Sequence, residues 1–381
     1  MLRSAGYSSP ASTGPICSRS NWSHSKQRMN SLQCNTLKLT LAVAIAGLLL
    51  SCETIGYYTQ AARGQLSILR GREAIEQLLE DPNLAPQLRE KFTAVLSIRE
   101  FAEAQLQLPV GENYLTYVDV SRQHVVWNVF AAPEFAIDPM NWCYPLAGCV
   151  SYRGYFSETA ALRYAEDLSA RDLDVYVGGV DAYSTLGWFN DSLLSTVSER
   201  ADYQLASLIF HELAHQIAYV PGDTVFNESF ATTLERAGLR QWLLLEQHTD
   251  LLALAETERV RQEQFVALVS QYRARLADLY QQELAAADMR ERKGQIQADL
   301  RAEYTALQLQ WDGYSGYDNW FAGALNNAQL STVSSYNELV PFFTDLLESV
   351  DGDFPRFYAE VNRIAAMDAD TRAQLTNSTT Q

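Results

Sequence analysis

From Gly56 to Leu108 apolar residues recur every three or four positions. "ILRGREAIEQLL" and "LREKFTAVLSIREFAEAQL" both carry this spacing, and "DPNLAP" separates them. Two helices are predicted. Between Tyr114 and Gly187 the texture changes to short β-branched and aromatic runs, "YLTYVDV", "HVVWNVFAA", "CVSYRGYF" and "LDVYVGGV", punctuated by Pro, Gly and Asp. These predict the strands of a small mixed sheet, interrupted by one helix at "ETAALRYAEDLSAR". Helical spacing returns from Ser198 to Ala218. Asp223 or Thr224 can then cap a second helix running to about Glu246. Glu256 to Trp311 is long, charged and heptad-like, with a break near Ala287 to Gly294. It predicts an antiparallel helical hairpin with solvated outer faces. Gly313 to Asp368 carries two shorter helices around "VPFFTDLLESV" and "FPRFYAEVNRIA". The polar tail after Asp370 is expected to fray. No internal repeat is visible.

The expected fold is therefore α+β. Residues 52–110 form an N-terminal helical segment and 111–250 hold the sheet and two paired helices. Residues 251–312 form the hairpin, 313–370 a C-terminal helical segment, and 371–381 a disordered tail. With 47% hydrophobic and 20% charged residues the composition is that of a globular chain.

Residues 1–51 stand apart. Up to Thr36 they are rich in Ser, Asn and Arg with no acidic residue, and Lys38 then precedes "LTLAVAIAGLLL", Leu39 to Leu50. Twelve uncharged residues are too few to span a bilayer but fit the apolar part of a secretory signal. The run ends in "LLSC", which resembles a bacterial lipobox and would make Cys52 the lipidated mature N-terminus. A buried helix with a chance cysteine is the competing reading. Met29 would be a more usual start for such a signal. Residues 1–51 hold five of the 29 basic side chains and none of the 46 acidic ones, so their removal moves the formal charge from −17 to −22. Such a surface repels nucleic acid and anionic head groups, leaving the lipid as the membrane attachment. The expected place is the bacterial cell envelope, periplasm-facing. The outer membrane is the default, and Glu53 after the lipidated cysteine can alter that sorting.

Cleavage leaves Cys52, Cys143 and Cys149. In an oxidising envelope the last two, in "WCYPLAGC", read as a short disulfide loop. Two free thiols or a metal pair are the alternatives, and no histidine nearby supports the metal.

The chemistry concentrates in "LIFHELAHQIAYVPGDTVFNESFAT". Two of the five histidines, His211 and His215, sit four apart and share a helical face, as two imidazoles on one tetrahedral zinc require. Glu212 can reach over a metal-activated water as general base. A solvated helix is the bland reading, but the flanks are apolar, and buried polar groups need partners. A catalytic zinc needs a third protein ligand. Pro221-Gly222 turns the chain, and the next helix offers Glu228. Glu235, seven residues on and on the same face, is expected with Thr232 to orient an imidazole. The swap, with Glu235 as ligand, stays open.

"HELAH" followed by "NESFA" resembles the gluzincin metallopeptidases, whose third ligand is the glutamate of an N-E-x-F-A type helix. The spacer here is shorter than theirs. "GYYTQAARGQL", "VVWNVFAAPEF", "WCYPLAGCVSYRGYF", "DVYVGGVDAYSTLGWF", "HELAHQ", "NESFAT" and "NNAQLSTVSSY" together are similar to a family of bacterial lipoproteins assigned to the zinc aminopeptidases. The resemblance implies a zincin-like metallopeptidase core, Zn2+ as cofactor and a peptide or protein substrate. The G-x-M-E-N motif with which the large aminopeptidases read a free amino group is absent from the sequence.

In gluzincins a strand beside the metal helix binds the substrate backbone. "AYSTLGWF", Ala182 to Phe189, resembles that edge, with a core strand as the alternative. Tyrosine is the usual oxyanion donor in this clan. Tyr317 and Tyr336 are candidates, with Asn326 and Asn327 between them. His124 and His248 stand alone and read as structural or surface residues. The expectation is a lipid-anchored zinc peptidase in which His211, His215 and Glu228 hold the metal and Glu212 activates water. The rival is a non-enzymatic envelope lipoprotein with a structural metal site and a helical binding arm.

Overall fold

The computed structural model describes residues 54–144, 148–182, 189–333 and 338–378. The signal region, Cys52, Tyr336 and most of Ala182 to Phe189 lie outside them. The chain divides at residue 59, and in the first unit residues 54–59 are helical. The second unit starts with helix α1, residues 60–70.

The predicted helix over "ILRGREAIEQLL" is broken. After α1 the backbone leaves the helix at Gly71 and forms strand β1 (Glu73–Ala74), followed by α2 (Ile75–Glu80). Tertiary pairing overrides local periodicity here, because Glu73 and Ala74 pair with β2 (Thr116–Val118). α3 (Pro86–Ala104) follows the expected "DPNLAP" break, with Pro86 at its first turn.

The strand runs form two small sheets, not one. In the first, β1 pairs antiparallel with β2, and β2 pairs parallel with the short β8 (Leu193–Leu194). The second is antiparallel, in the order β6 (Arg153–Tyr155), β3 (Val126–Pro133), β7 (Leu173–Val180). A separate hairpin, β4 (Trp142–Tyr144) and β5 (Gly148–Val150), places Cys143 directly opposite Cys149, and the two form a disulfide. α4 (Glu158–Ser169), capped by Ser157, packs on β3 and β7 through Ala161, Ala165 and Leu168.

β8 leads into α5 (Asp202–Ala214), which is paired with α6 (Thr224–Leu245). α5 is shorter than predicted at both ends. Its last turn tightens into i→i+3 bonds, Gln216 N–H to Leu213 O and Ile217 N–H to Ala214 O, so His215 sits at the C-cap. Asp223 caps α6, accepting from Phe226 N–H at 3.1 Å. Gly238 lets the two helices close: a Cβ there would stand 2.7 Å from Leu106 and 3.1 Å from Phe210. Phe210, Phe226 and Phe230 lie in the same core as α3 and, later in the chain, Phe343 and Phe357.

The hairpin consists of α7 (Thr249–Tyr280) and α8 (Ala286–Gln310), with the break at residues 281–285 and not at Ala287–Gly294. Gly294 is an ordinary helical position. Neighbouring Lys293 is buried on α8, where its ammonium meets Asp174 at 2.6 Å and the Glu134 carbonyl at 2.8 Å. The hairpin has its own core of Phe265, Leu268, Val269, Tyr272, Leu300 and Tyr304, joined by Trp311 and Phe321. Two one-turn helices follow, α9 (Asp318–Phe321) and α10 (Asn327–Leu330), then α11 (Val340–Ser349) and α12 (Phe354–Ala365). Of the tail expected to be disordered, residues 371–378 instead belong to α13 (Ala369–Ser378). Arg372 anchors it, 6% exposed and bonded to Asp223 Oδ2 and the Met367 carbonyl, both at 2.8 Å.

Candidate metal centre and its cleft

α5 is buried through Tyr203, Ala206, Phe210, Leu213 and Ala214. The remaining stripe, Gln204, Ser207, Leu208, His211 and Glu212, recurs at helical spacing and, together with Tyr203, lines a cleft of about 1120 Å³. On the facing side α6 contributes Glu228, Thr232 and Glu235. The third wall is the first half of α7, so the cleft lies between the two hydrophobic cores.

At one end His211, His215 and Glu228 each direct one donor atom into a cluster no wider than 4.8 Å. His211 Nε2 lies 3.3 Å from Glu228 Oε2, and His215 Nε2 lies 3.6 Å from Glu228 Oε1. The imidazoles stand nearly perpendicular, 84° apart. Tetrahedral zinc with bonds of about 2.0–2.1 Å spaces its ligand atoms about 3.3 Å apart. Each histidine stands close to this distance from one Glu228 oxygen, and the donor set, two imidazoles and a carboxylate, is of the kind that binds such an ion. Of the two glutamates the sequence left open, Glu228 is on the Nε2 side of His211. Glu235 is on the other side, 3.0 Å from Nδ1, and accepts from Ser207 Oγ at 2.6 Å. This chain of hydroxyl, carboxylate and imidazole fixes the ring and its tautomer. Thr232 lines the cleft between the two glutamates.

The local charges follow this geometry. Burial alone would lower the pKa of His211, but Glu228, Glu235 and Glu212 outweigh it and raise it to about 10. His215 goes the other way, down to about 4, through burial and the neighbouring His211 charge, against the pull of Glu228. Burial opposes ionisation of Glu228, yet the two histidines hold its carboxyl below the usual range. His211 is thus held positively charged beside an ionised Glu228.

Several positioning groups were missed in the sequence. Asn227, 2% exposed, clamps the turn before α6: its Oδ1 accepts from Val220 N–H at 2.8 Å and its Nδ2 donates to the Val220 carbonyl at 2.9 Å. This fixes the start of the turn that carries Glu228. Ser207 could have been found by following the histidine face back one turn. Tyr219 stands edge-on to His215 with ring centres 6.3 Å apart, is 42% exposed, and has its pKa raised by burial and by Glu228. Tyr114 is buried, and desolvation, with Glu212 and Asp191, raises its hydroxyl pKa well above the ordinary value. Its left-handed backbone, φ 58°, is held by its N–H to the Asp191 carbonyl at 2.6 Å. Nothing in local spacing marks either tyrosine.

Other expected residues lie elsewhere. Tyr317 lines the far part of the cleft, stacked on Phe265 at 4.2 Å. The Asn326 side chain caps α10 and donates to the Val175 carbonyl at 3.0 Å, and Asn327 bonds the Pro133 and Glu134 carbonyls and the Tyr280 hydroxyl. Both asparagines join α10 to the sheet and do not reach the centre. His124 pairs with Asp181 at 2.6 Å, and His248 is exposed beside α7.

A family model described as "Putative aminopeptidase" matches residues 56–375. Comparison with curated proteins and with solved structures gives no match. The family match spans most of the chain and takes in every residue of the cluster, and the chain belongs to this aminopeptidase family.

Proposed function

We propose that the chain hydrolyses peptide bonds with zinc held by His211, His215 and Glu228, in a zincin-like core of the gluzincin kind. The observation that carries this is the convergence of three donors within 4.8 Å, each histidine within 3.6 Å of a Glu228 carboxylate oxygen, with Glu212 lining the same cleft. Zinc bound there would polarise water and the scissile carbonyl. Glu212 takes the proton from the attacking water and returns it to the leaving amine as the C–N bond breaks. Glu235 and Ser207 hold the His211 ring during this step. The proposed donor to the carbonyl oxygen, as negative charge develops on it, is the Tyr219 hydroxyl, whose ring stands beside His215 and whose raised pKa keeps it protonated. A base at position 212 has no use in a purely structural site, so the enzymatic reading is preferred to a scaffold.

Glu212→Gln is the deciding variant. It should keep zinc stoichiometry and melting temperature while losing turnover by about two or more orders of magnitude. His211→Ala, His215→Ala and Glu228→Ala should lose zinc. Undiminished peptide hydrolysis by Glu212→Gln would overturn the mechanism.

We also propose a lipid anchor at Cys52 in the bacterial envelope, supported by "LLSC" after the apolar run. Cys52→Ser should leave the precursor uncleaved. Mass spectrometry finding an unlipidated mature N-terminus at another residue would reject it.

A further inference from the structure

The cleft continues beyond the metal-binding end. It runs back along α5 past Ser207 to Tyr203, where the α7 wall presents Glu258. Glu258 is half-buried and accepts a hydrogen bond from the Tyr203 hydroxyl at 2.9 Å. Tyr317 lines the same stretch, and the charge of Glu258 adds to burial and Tyr314 in raising its hydroxyl pKa to about 12. Both tyrosines stay neutral.

Of the other charges lining the cleft, Arg240 and Glu348 are exposed and form no ion pair among the described residues, and the rest are paired. Glu256 is bonded by Arg259, and Arg236 and Arg259 share Glu263. Arg200 is paired with Asp181. Arg261, one turn along α7 from Glu258, lies over the Tyr314 ring at 4.4 Å and donates to the Trp311 carbonyl. Outside the metal-binding cluster, Glu258 is thus the half-buried cleft acid whose described partner is a neutral hydroxyl. A carboxylate beside aromatic rings in a partly desolvated cleft selects a cation, and the ring faces favour an ammonium.

We propose that Glu258, with the Tyr203 hydroxyl and the Tyr317 ring, forms a subsite for an ammonium group of the substrate. The inference rests on the peptidase reading above and gives it a length rule. Tyr203 precedes His211 by eight residues on α5, about 12 Å at the helical rise. An extended peptide advances about 3.3 Å per residue. An α-ammonium at Glu258 therefore sets the scissile bond about three or four residues into the chain. The enzyme would release short N-terminal oligopeptides and not single amino acids. A lysine side chain offers the same ammonium, so the test separates the two sources.

The binding arm needs no turnover. Zinc-loaded Glu212→Gln is titrated with an alanine-rich octapeptide carrying a C-terminal fluorophore, with its N-terminus free or acetylated, and with an acetylated copy containing one lysine. The free-amine peptide should bind about tenfold more tightly than the acetylated one. Adding Glu258→Gln should abolish that difference. In the otherwise native enzyme Glu258→Gln should raise KM for the free peptide about tenfold with kcat little changed, and products of the native enzyme should be tri- or tetrapeptides. Restoration of binding by lysine in the acetylated copy, lost again with Glu258→Gln, would support the subsite with a side chain as its source. Equal binding of free, acetylated and lysine peptides, or a preference that survives Glu258→Gln, would overturn it. Absence of hydrolysis in the native enzyme with the binding preference intact would reject the peptidase reading and leave the subsite standing.

Discussion

At His211 a proton and a metal ion compete for one nitrogen. In the metal-free protein its pKa stands at about 10, above the ordinary 6.5, so its contribution to stability is complete below pH 6.5 and is lost as pH rises towards 10. His215 acts in the opposite sense. Its folded pKa of about 4 lies below 6.5, so the neutral ring costs stability as pH falls from 6.5 towards 4. The melting temperature of the chelated protein should therefore peak near pH 6.5 from these two residues and fall on both sides. Zinc removes the peak, because the ion replaces the proton on His211. Zinc affinity should climb about tenfold per pH unit through neutrality, as one proton is displaced per ion bound. Melting curves with and without a chelator, and competition against a chelator of known affinity, measure both effects. A chelated protein whose stability rises steadily from pH 6.5 to 9 would contradict the charge assignment at His211.

Element by element, the sequence announced what depends on neighbours in the chain. The H-E-x-x-H spacing is local, because two imidazoles four residues apart meet on any α-helix, and so the cluster was legible. α6 was legible through its cap at Asp223. The boundaries that failed were set from far away. The break in "ILRGREAIEQLL" comes from pairing with β2, some forty residues on. Gly294 looked like a hinge, yet α8 passes through it because Lys293 must reach Asp174 on β7. The polar tail looked free, but Arg372 reaches the same Asp223 that caps α6 and passes 5.6 Å from the Phe226 ring. α13 thus braces the start of the helix that carries Glu228. Asn227 escaped notice for a related reason: a buried amide clamping a turn has the same one-letter signature as an exposed one. Two of the substrate or oxyanion candidates, Asn326 and Asn327, are engaged elsewhere for a similar reason. Asn326 and Asn327 are polar and adjacent in sequence, and only the structure shows both consumed by carbonyls of β3, β7 and the residue after β3.

At the scale of the whole second unit, the cleft has one wall from each core, so its width depends on how firmly the hairpin is joined to the rest. Leu251, Leu252 and Ala255 of α7 pack against the first core and Phe135 and Ile137 against the hairpin's own, and beside these apolar contacts lies a polar junction. Lys293, with its side chain 9% exposed, meets Asp174 Oδ2, which also accepts from the Asn327 N–H at 2.9 Å. Tyr280 on α7 donates to Asn327 in turn, so both hairpin helices and α10 converge on one carboxylate at the start of β7. Breaking such a buried pair leaves a charge without its partner, a cost of about 3–5 kcal/mol. Lys293→Met should destabilise the protein by about that amount in urea unfolding. Adding Asp174→Asn, which keeps an acceptor for Asn327 but removes the orphan charge, should recover a large part of the loss. The variants also separate stability from function, since none of these groups lines the cleft. In Lys293→Met at temperatures well below its melting point the α7 wall should move more freely. KM for peptides should rise several-fold, with zinc stoichiometry and kcat retained, because His211, Glu212, His215 and Glu228 belong to the other core's helices. A loss of zinc in Lys293→Met would show instead that the hairpin supports the metal centre itself, and an unchanged KM would show that the junction holds the fold without shaping the cleft.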